Sequence, residues 1–348
     1  MTGQDWWVRD AASWRSVLGT VVPIEPVLPP DPDDPYDPGL LSWLDAWATQ
    51  NYNTILDWYN ANTGLLNPSA LQPVTSSKIV TTANGQTIEN RNIVFPDPGF
   101  ENPTDVIEIR HNNVTVRNCK VYAGGRANAI RVMSGVSGAV VEHCEFDGST
   151  ILYGTDRSDA NLADHAVTTR SNGVTVRFNL CYNWRQAIEL NPFGVAEYNL
   201  VRDIFTNAPG VSTSSIWTRS YTTDYHGGTT VRRNLVEAGT SAALTAYAYG
   251  KPVRDCEWHQ NLIVGVGVGF GIRGGQVEND PNRFDNRDIR INDNRFRGEF
   301  AYPNALGEGT NAGVRIDQPG STFDRNRWLG SSVDLPARCG VTQDACHL

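Results

Sequence analysis

Glu189 stands between two loops that each set an aspartate beside a histidine, Asp164-His165 and Asp224-Tyr-His226. Two carboxylates about 5–10 Å apart are what acid–base cleavage of a glycosidic bond requires. Glu189 with Asp164 or Asp224 is therefore the candidate catalytic set; loop carboxylates that are simply solvated are the competing reading. A second set holds Arg110, Arg170, Trp217, Arg219, Tyr247 and Arg273. Aromatic faces stack on sugar rings, and guanidinium groups hold hydroxyls and acidic groups. The same residue types also favour contacts between protein subunits, so this set reads either as a glycan-binding or as an inter-subunit stripe. Asp156, Asp159 and Asp164 could ligate Ca2+, although their spacing is not that of an EF-hand loop. No other cofactor is implied.

These residues are scattered in sequence and need a repeating scaffold to meet. One is legible. The phrase Val231-Arg-Arg-Asn-Leu-Val236 recurs with asparagine at 179, 199, 234, 261, 294 and 326. Two earlier copies put Cys119 and Cys144 in the same slot. The intervals are 25, 35, 20, 35, 27, 33 and 32 residues. Upstream of each slot lies a short alternating strand, such as Ile107-Glu-Ile-Arg110, Ile188-Glu-Leu-Asn191 and Phe270-Gly-Ile-Arg273. Strand and slot travel together as one coil, and a period of this size without intervening helices predicts a β-solenoid. Stacked at about 4.8 Å, eight or nine coils give a rod on the order of 40 Å long. The slot asparagine is expected to take the left-handed conformation and to bond its equivalent in the next coil.

Stacking turns the strands into columns. The first outward column is Glu108, Arg131, Thr168, Glu189, Trp217, Thr245, Gly271 and Arg315. The second is Arg110, Met133, Arg170, Asn191, Arg219, Tyr247, Arg273 and Asp317. The candidate residues thus share one face of the rod.

Over residues 75–330 this pattern resembles the right-handed parallel β-helix superfamily of pectate lyases, polygalacturonases and phage tailspikes. The fold expected is all-β, a right-handed parallel β-helix solenoid with a short helical, proline-linked N-terminal region. The ordered polygalacturonase signatures are absent, Tyr225-His226-Gly-Gly228 being only a faint echo, and no catalytic residue carries over from the family.

The net charge of −9 argues against nucleic acid as a partner. No apolar run approaches a membrane span, and the start, Met1-Thr-Gly-Gln-Asp-Trp-Trp7, does not read as a signal peptide. Residues 1–38 read as an arm: a Trp-rich helix followed by a linker with seven prolines between 23 and 38. Residues 39–74 hold the best helix, at 39–60, whose Leu41, Leu44, Ala48, Asn51, Ile55 and Trp58 follow a heptad seam. Self-association and capping of the rod's end are both open to it. Residues 331–348 lack the coil pattern and are expected to cap the far end; Cys339 and Cys346 could close a small disulfide loop. The other cysteines read as small buried apolar residues.

An arm, a proline linker and an oligomer helix leading into coils is how phage tailspikes and minor tail proteins are built. The resemblance therefore implies a virion tail protein made in the host cytoplasm. It would be homotrimeric, held to other tail proteins by its arm, and in contact with host surface polysaccharide. A polysaccharide depolymerase on the same fold is the alternative.

Overall fold

The computed structural model describes residues 52–95, 104–123, 127–148, 165–204, 214–219, 226–238, 242–247, 253–265, 268–273, 288–297 and 322–335. Asp156, Asp159, Asp164, Asp224, Arg315, Asp317, Cys339, Cys346, the arm and most of the heptad seam lie outside them, as do residues 149–164, 220–225 and 274–287. For Tyr247 and Arg273 the backbone alone is described.

Each coil contributes three short strands, and like strands stack in parallel. Among the described residues this gives sheets of eight, eight and nine strands, a parallel β-helix. Interior residues lie in register from coil to coil. In the first sheet the file runs Ile79, Ile107, Ile130, Val167, Ile188, Ile216 and Leu244, and the backbone pairing continues to Phe270. The second sheet files Val116, Val141, Val176 and Ala196, and the third Val121, Phe146, Cys181 and Val201. β-Branched residues dominate because a pleated, fully buried strand favours them. Together they form one continuous apolar interior. Cys119, Cys144, Cys181 and Cys256 are buried and unbridged.

The corner between the second and third sheets holds the asparagine ladder. Asn179, Asn199, Asn234, Asn261, Asn294 and Asn326 are each 0 % exposed. The Oδ1 of Asn199 accepts from both the backbone N–H and the Nδ2 of Asn179, at 3.0 and 3.1 Å. The same pair of bonds joins every later step as far as Asn326. Each Nδ2 also donates to a backbone carbonyl of the coil before, as Asn234 does to Ala196 at 2.9 Å. In coils two and three the thiols of Cys119 and Cys144 take over that last role, bonding the carbonyls of Ile88 and Val116.

One expectation is corrected here. The left-handed residue is not the asparagine but the residue before it: Phe178, Tyr198, Arg233, Gln260, Asp293 and Arg325 have φ of 54, 54, 55, 57, 61 and 52°. A left-handed non-glycine residue costs about 1–2 kcal/mol. Turning the corner one residue early lets the next side chain point inward, where the ladder bonds offset that cost.

The left-handed residues form their own outer file. His143, Phe178 and Tyr198 stack face to face, with centroids 4.9 Å apart at each step. Arg233 donates to the Tyr198 hydroxyl at 2.5 Å and to Gln260 at 2.8 Å. A strap, residues 52–75, lies over this corner. It begins with the helix Tyr52–Asn62, which buries Ile55 and Tyr59. The Tyr59 hydroxyl donates to the Arg233 carbonyl at 2.7 Å. Gly64 ends the helix at φ 79°, and its N–H donates to the Phe178 carbonyl at 2.9 Å. Asn67 exchanges two bonds with Asn118, and the Gln72 N–H reaches the Asn90 carbonyl. The strap therefore runs from the later coils back to the first. Leu200, Leu235 and Leu262, on the outer side of the third sheet, are buried outside the interior cluster, beside the residues the strap bonds. That apolar column is why the helix lies on the flank of the middle coils and not over the rod's end. At the far end Leu335 folds back, its N–H on the Asn326 carbonyl.

The outer side of the second sheet is a charge ladder in register: Glu89, Arg117, Glu142, Arg177, Glu197, Arg232, His259 and Asn292. Arg117 bonds Glu89, Arg177 bonds Glu142 and Arg232 bonds Glu197, each at 2.8 Å. Burial, then Arg232, lowers the pKa of His259 to about 4. His259 is therefore neutral in the folded chain at pH 7, while the unfolded chain takes up its proton near pH 6.5. Its contribution is complete above pH 6.5 and is lost as pH falls towards 4, on the order of 3 kcal/mol. His259→Gln should flatten the urea midpoint over that window, whereas the wild type should lose stability across it.

Candidate functional site

The outer side of the first sheet gathers the residues singled out from the sequence. The register holds for the first column: Glu108, Arg131, Thr168, Glu189, Trp217, Thr245 and Gly271 are successive Cα partners. The second column continues past the strand ends: the N–H of Met133 bonds the Ile109 carbonyl, Arg170 that of Val132 and Arg219 that of Leu190. Tyr247 and Arg273 pair directly.

The first column is not an open stripe. Glu189 is 1 % exposed, and Glu108, Thr168 and Trp217 are buried too. The Thr168 hydroxyl donates to Glu189 Oε2 at 2.5 Å. His165 Nε2 lies 3.3 Å from the same oxygen, and Arg219 Nη1 lies 3.7 Å from Oε1. Arg219 also stands over the Trp217 ring, 5.2 Å from its centroid. Beyond His165 the chain of bonds continues. Its Nδ1 meets Asn128 Oδ1 at 3.0 Å, Asn128 Nδ2 donates to Asp105 Oδ1 at 2.8 Å, and Arg131 Nε meets that oxygen at 2.9 Å. An ionised aspartate accepts only, so the Asn128 amide is fixed in orientation and His165 must carry its proton on Nδ1. At the sheet's lower end Arg110 bonds Glu108 and Lys78 approaches it at 2.7 Å. The Arg110 bond, then Lys78, holds the Glu108 carboxyl below the usual range against the opposing effect of burial.

Of the candidate catalytic set only Glu189 falls in the described residues. Its oxygens are engaged by Thr168, His165 and Arg219 and buried from solvent. Of the stripe, Arg110 is exposed, Arg170 and Arg219 half-buried and Trp217 buried. Among the described residues no three His, Cys, Asp or Glu side chains are placed to hold a metal ion, and no helix is long and apolar enough to cross a membrane.

Asp105, Asn128 and His165 were not legible as part of this cluster. Strict alternation from Ile107, Ile130 and Val167 turns them inward. The strands bend instead: Val106 and Ile107, Ala129 and Ile130, and Ala166 and Val167 are successive residues that both enter the interior. The available signal was a small residue recurring before the interior one, at Ala129, Ala166, Ala187, Ser215 and Ala243, with a polar residue before it in most coils.

No family model matches the chain, and no curated protein or solved structure shows significant similarity to it. The fold is therefore established by the stacked sheets alone, and fold alone does not fix function.

Proposed function

We propose that this is a tail-associated phage virion protein of the tailspike or minor tail protein kind, on a pectate lyase-like β-helix. Its rod contacts host surface glycan. The observation that carries this reading is how the chain enters the rod. Residues 52–75 are bonded along the flank, with Arg297 Cζ 3.8 Å over the Tyr52 ring, so the described part of the chain begins at a fixed point beside the late coils. A stiff rod with a tether at one point suits presentation of a side face. The first sheet supplies such a face, with Arg110 exposed and Arg170 and Arg219 half-buried. Trimeric assembly fits the same reading, and a mass measurement in solution tests it.

Deleting residues 1–51 should leave a folded rod that no longer joins its particle. Deleting 1–62 should also destabilise the rod, because Ile55 and Tyr59 leave with it. Incorporation of the shorter truncation at wild-type levels, by immunoblot of purified particles, would refute the tether. The appearance of new reducing ends or unsaturated products from host glycan would favour a depolymerase instead.

A further inference from the structure

The strap has two halves, and they are held differently. From Gly64 onward it is stitched to the early coils through its backbone. The Gly64 N–H donates to the Phe178 carbonyl at 2.9 Å and the Gln72 N–H to that of Asn90 at 2.8 Å. The Thr75 N–H donates to the Asn92 carbonyl and its own carbonyl accepts from the Val94 N–H, both at 2.9 Å. Asn67 and Asn118 add the pair of bonds described above. These partners lie in coils one, two and four. The helix Tyr52–Asn62 is set instead on coils five, six and eight by its side chains. Ile55 and Tyr59 are buried, and the Tyr59 hydroxyl reaches the Arg233 carbonyl. The Trp58 ring stands 6.2 Å from that of Tyr198, and Arg297 lies over Tyr52.

A joint separates the halves. Thr63 closes the helix on itself, its N–H and hydroxyl both on the Tyr59 carbonyl at 2.8 and 2.7 Å. Gly64 then turns left-handed at φ 79°, where a side chain would be strained, and a Cβ there would lie 3.3 Å from the Leu180 Cβ. Leu180 begins the outer file Leu180, Leu200, Leu235, Leu262 of the third sheet. The helix has little support of its own. It is 11 residues long, with no acidic residue in its first turn and no basic residue in its last, and isolated helices of that length are marginal in water. Its order therefore comes from the flank it lies on, so it docks and folds in one step. Position in the chain then sets the order of assembly. Tyr59 bonds a residue 174 positions further along, and Tyr52 touches Arg297. No surface exists for the helix until the later coils have been wound, whereas the lower half needs only the early ones.

We infer that Tyr52–Asn62 is a latch hinged at Gly64. It closes last, on a finished rod, and reopens while residues 64–75 stay in place. Closed, it joins the late coils to the early ones across the flank. Open, it returns Ile55 and Tyr59 to water and frees the Arg233 carbonyl of its hydroxyl donor. Local opening of this kind needs far less than global unfolding when one element is held by a few side chains. The chain leading into Tyr52 thus meets the rod at a joint with two states, and the population of the open state sets how firmly that chain is held.

The test is amide hydrogen exchange on the full chain, read by mass spectrometry. Amides of residues 53–63 should exchange at least about 30-fold faster than ladder amides at 197–202 and 232–236, while 72–75 stay slower than the helix. Tyr59→Phe removes the hydroxyl bond and keeps the ring. It should speed exchange of the helix by a further factor of about three to ten and leave the ladder amides unchanged. In refolding from urea with pulse labelling, protection should reach the helix after the ladder. Helix and ladder exchanging at one rate, with Tyr59→Phe accelerating both alike, would overturn the latch, because the strap would then belong to one cooperative unit. Residues 72–75 opening together with the helix would overturn the hinge at Gly64. Protection of the helix before the ladder would overturn the order of closing.

Discussion

Asn234→Leu should cost about 3–5 kcal/mol of stability, the largest effect of any single ladder substitution. The leucine matches asparagine in shape, so the loss isolates the amide. Asn234 Oδ1 accepts the backbone N–H and Nδ2 of Asn199, at 2.9 and 3.0 Å. Its Nδ2 donates to Asn261 Oδ1 and to the carbonyls of Ala196 and Arg232. Removing the amide leaves the Asn199 N–H without its partner in a place no water reaches, and each such orphan costs about 1–3 kcal/mol. Two further substitutions make the result diagnostic. Asn234→Cys should cost less, because Cys119 and Cys144 show that a thiol can serve the carbonyl of the preceding coil. Asn326→Leu should also cost less, because among the described residues the ladder ends there. Urea midpoints decide the matter. If Asn234→Leu unfolds within about 1 kcal/mol of wild type, the ladder is not what holds the coils in phase.

The ladder also shows why the coil was legible in sequence. A buried amide that must bond its own image in the next coil admits few residue types, so the slot repeats visibly despite intervals between 20 and 35 residues. Interior positions are looser, since Val, Ile, Ala, Cys, Phe and Trp all fill them, yet period-2 alternation betrays them. The corner residue was invisible for the opposite reason. His143, Phe178, Tyr198, Arg233 and Gln260 share only a backbone angle, and no residue type is common to them. The site was half legible. Glu108, Thr168, Glu189 and Trp217 were placed by alternation, but their burial was not, because exposure of an outward residue depends on what lies over the sheet. His165, Asn128 and Asp105 escaped because alternation fails at the bend. The strap escaped because Ile55 suits a helix seam and an apolar flank equally well, while the other residue the helix buries is Tyr59 and not the seam's Trp58.

Glu189→Ala should cost about 3–5 kcal/mol, because it removes one member of a buried ionic cluster and leaves the rest in place. Thr168 would lose its acceptor, His165 and Arg219 would lose the carboxylate beside them, and the side-chain volume would stand empty. Glu189→Gln keeps the volume and one acceptor oxygen. Arg219 is 25 % exposed and can turn towards water, so the expected cost falls to about 2 kcal/mol. If the cluster is chiefly structural, Arg219→Ala and Glu189→Gln should be non-additive, the double variant losing less than the two single losses combined. A catalytic carboxylate behaves in the opposite way. Active sites hold their groups at some expense of stability, so Glu189→Gln would then leave the urea midpoint level or raise it while abolishing turnover of a polysaccharide. The two readings of Glu189 thus predict shifts of opposite sign in one denaturation experiment. With the carboxylate 1 % exposed and bonded at 2.5 Å to Thr168, the expected sign is a loss.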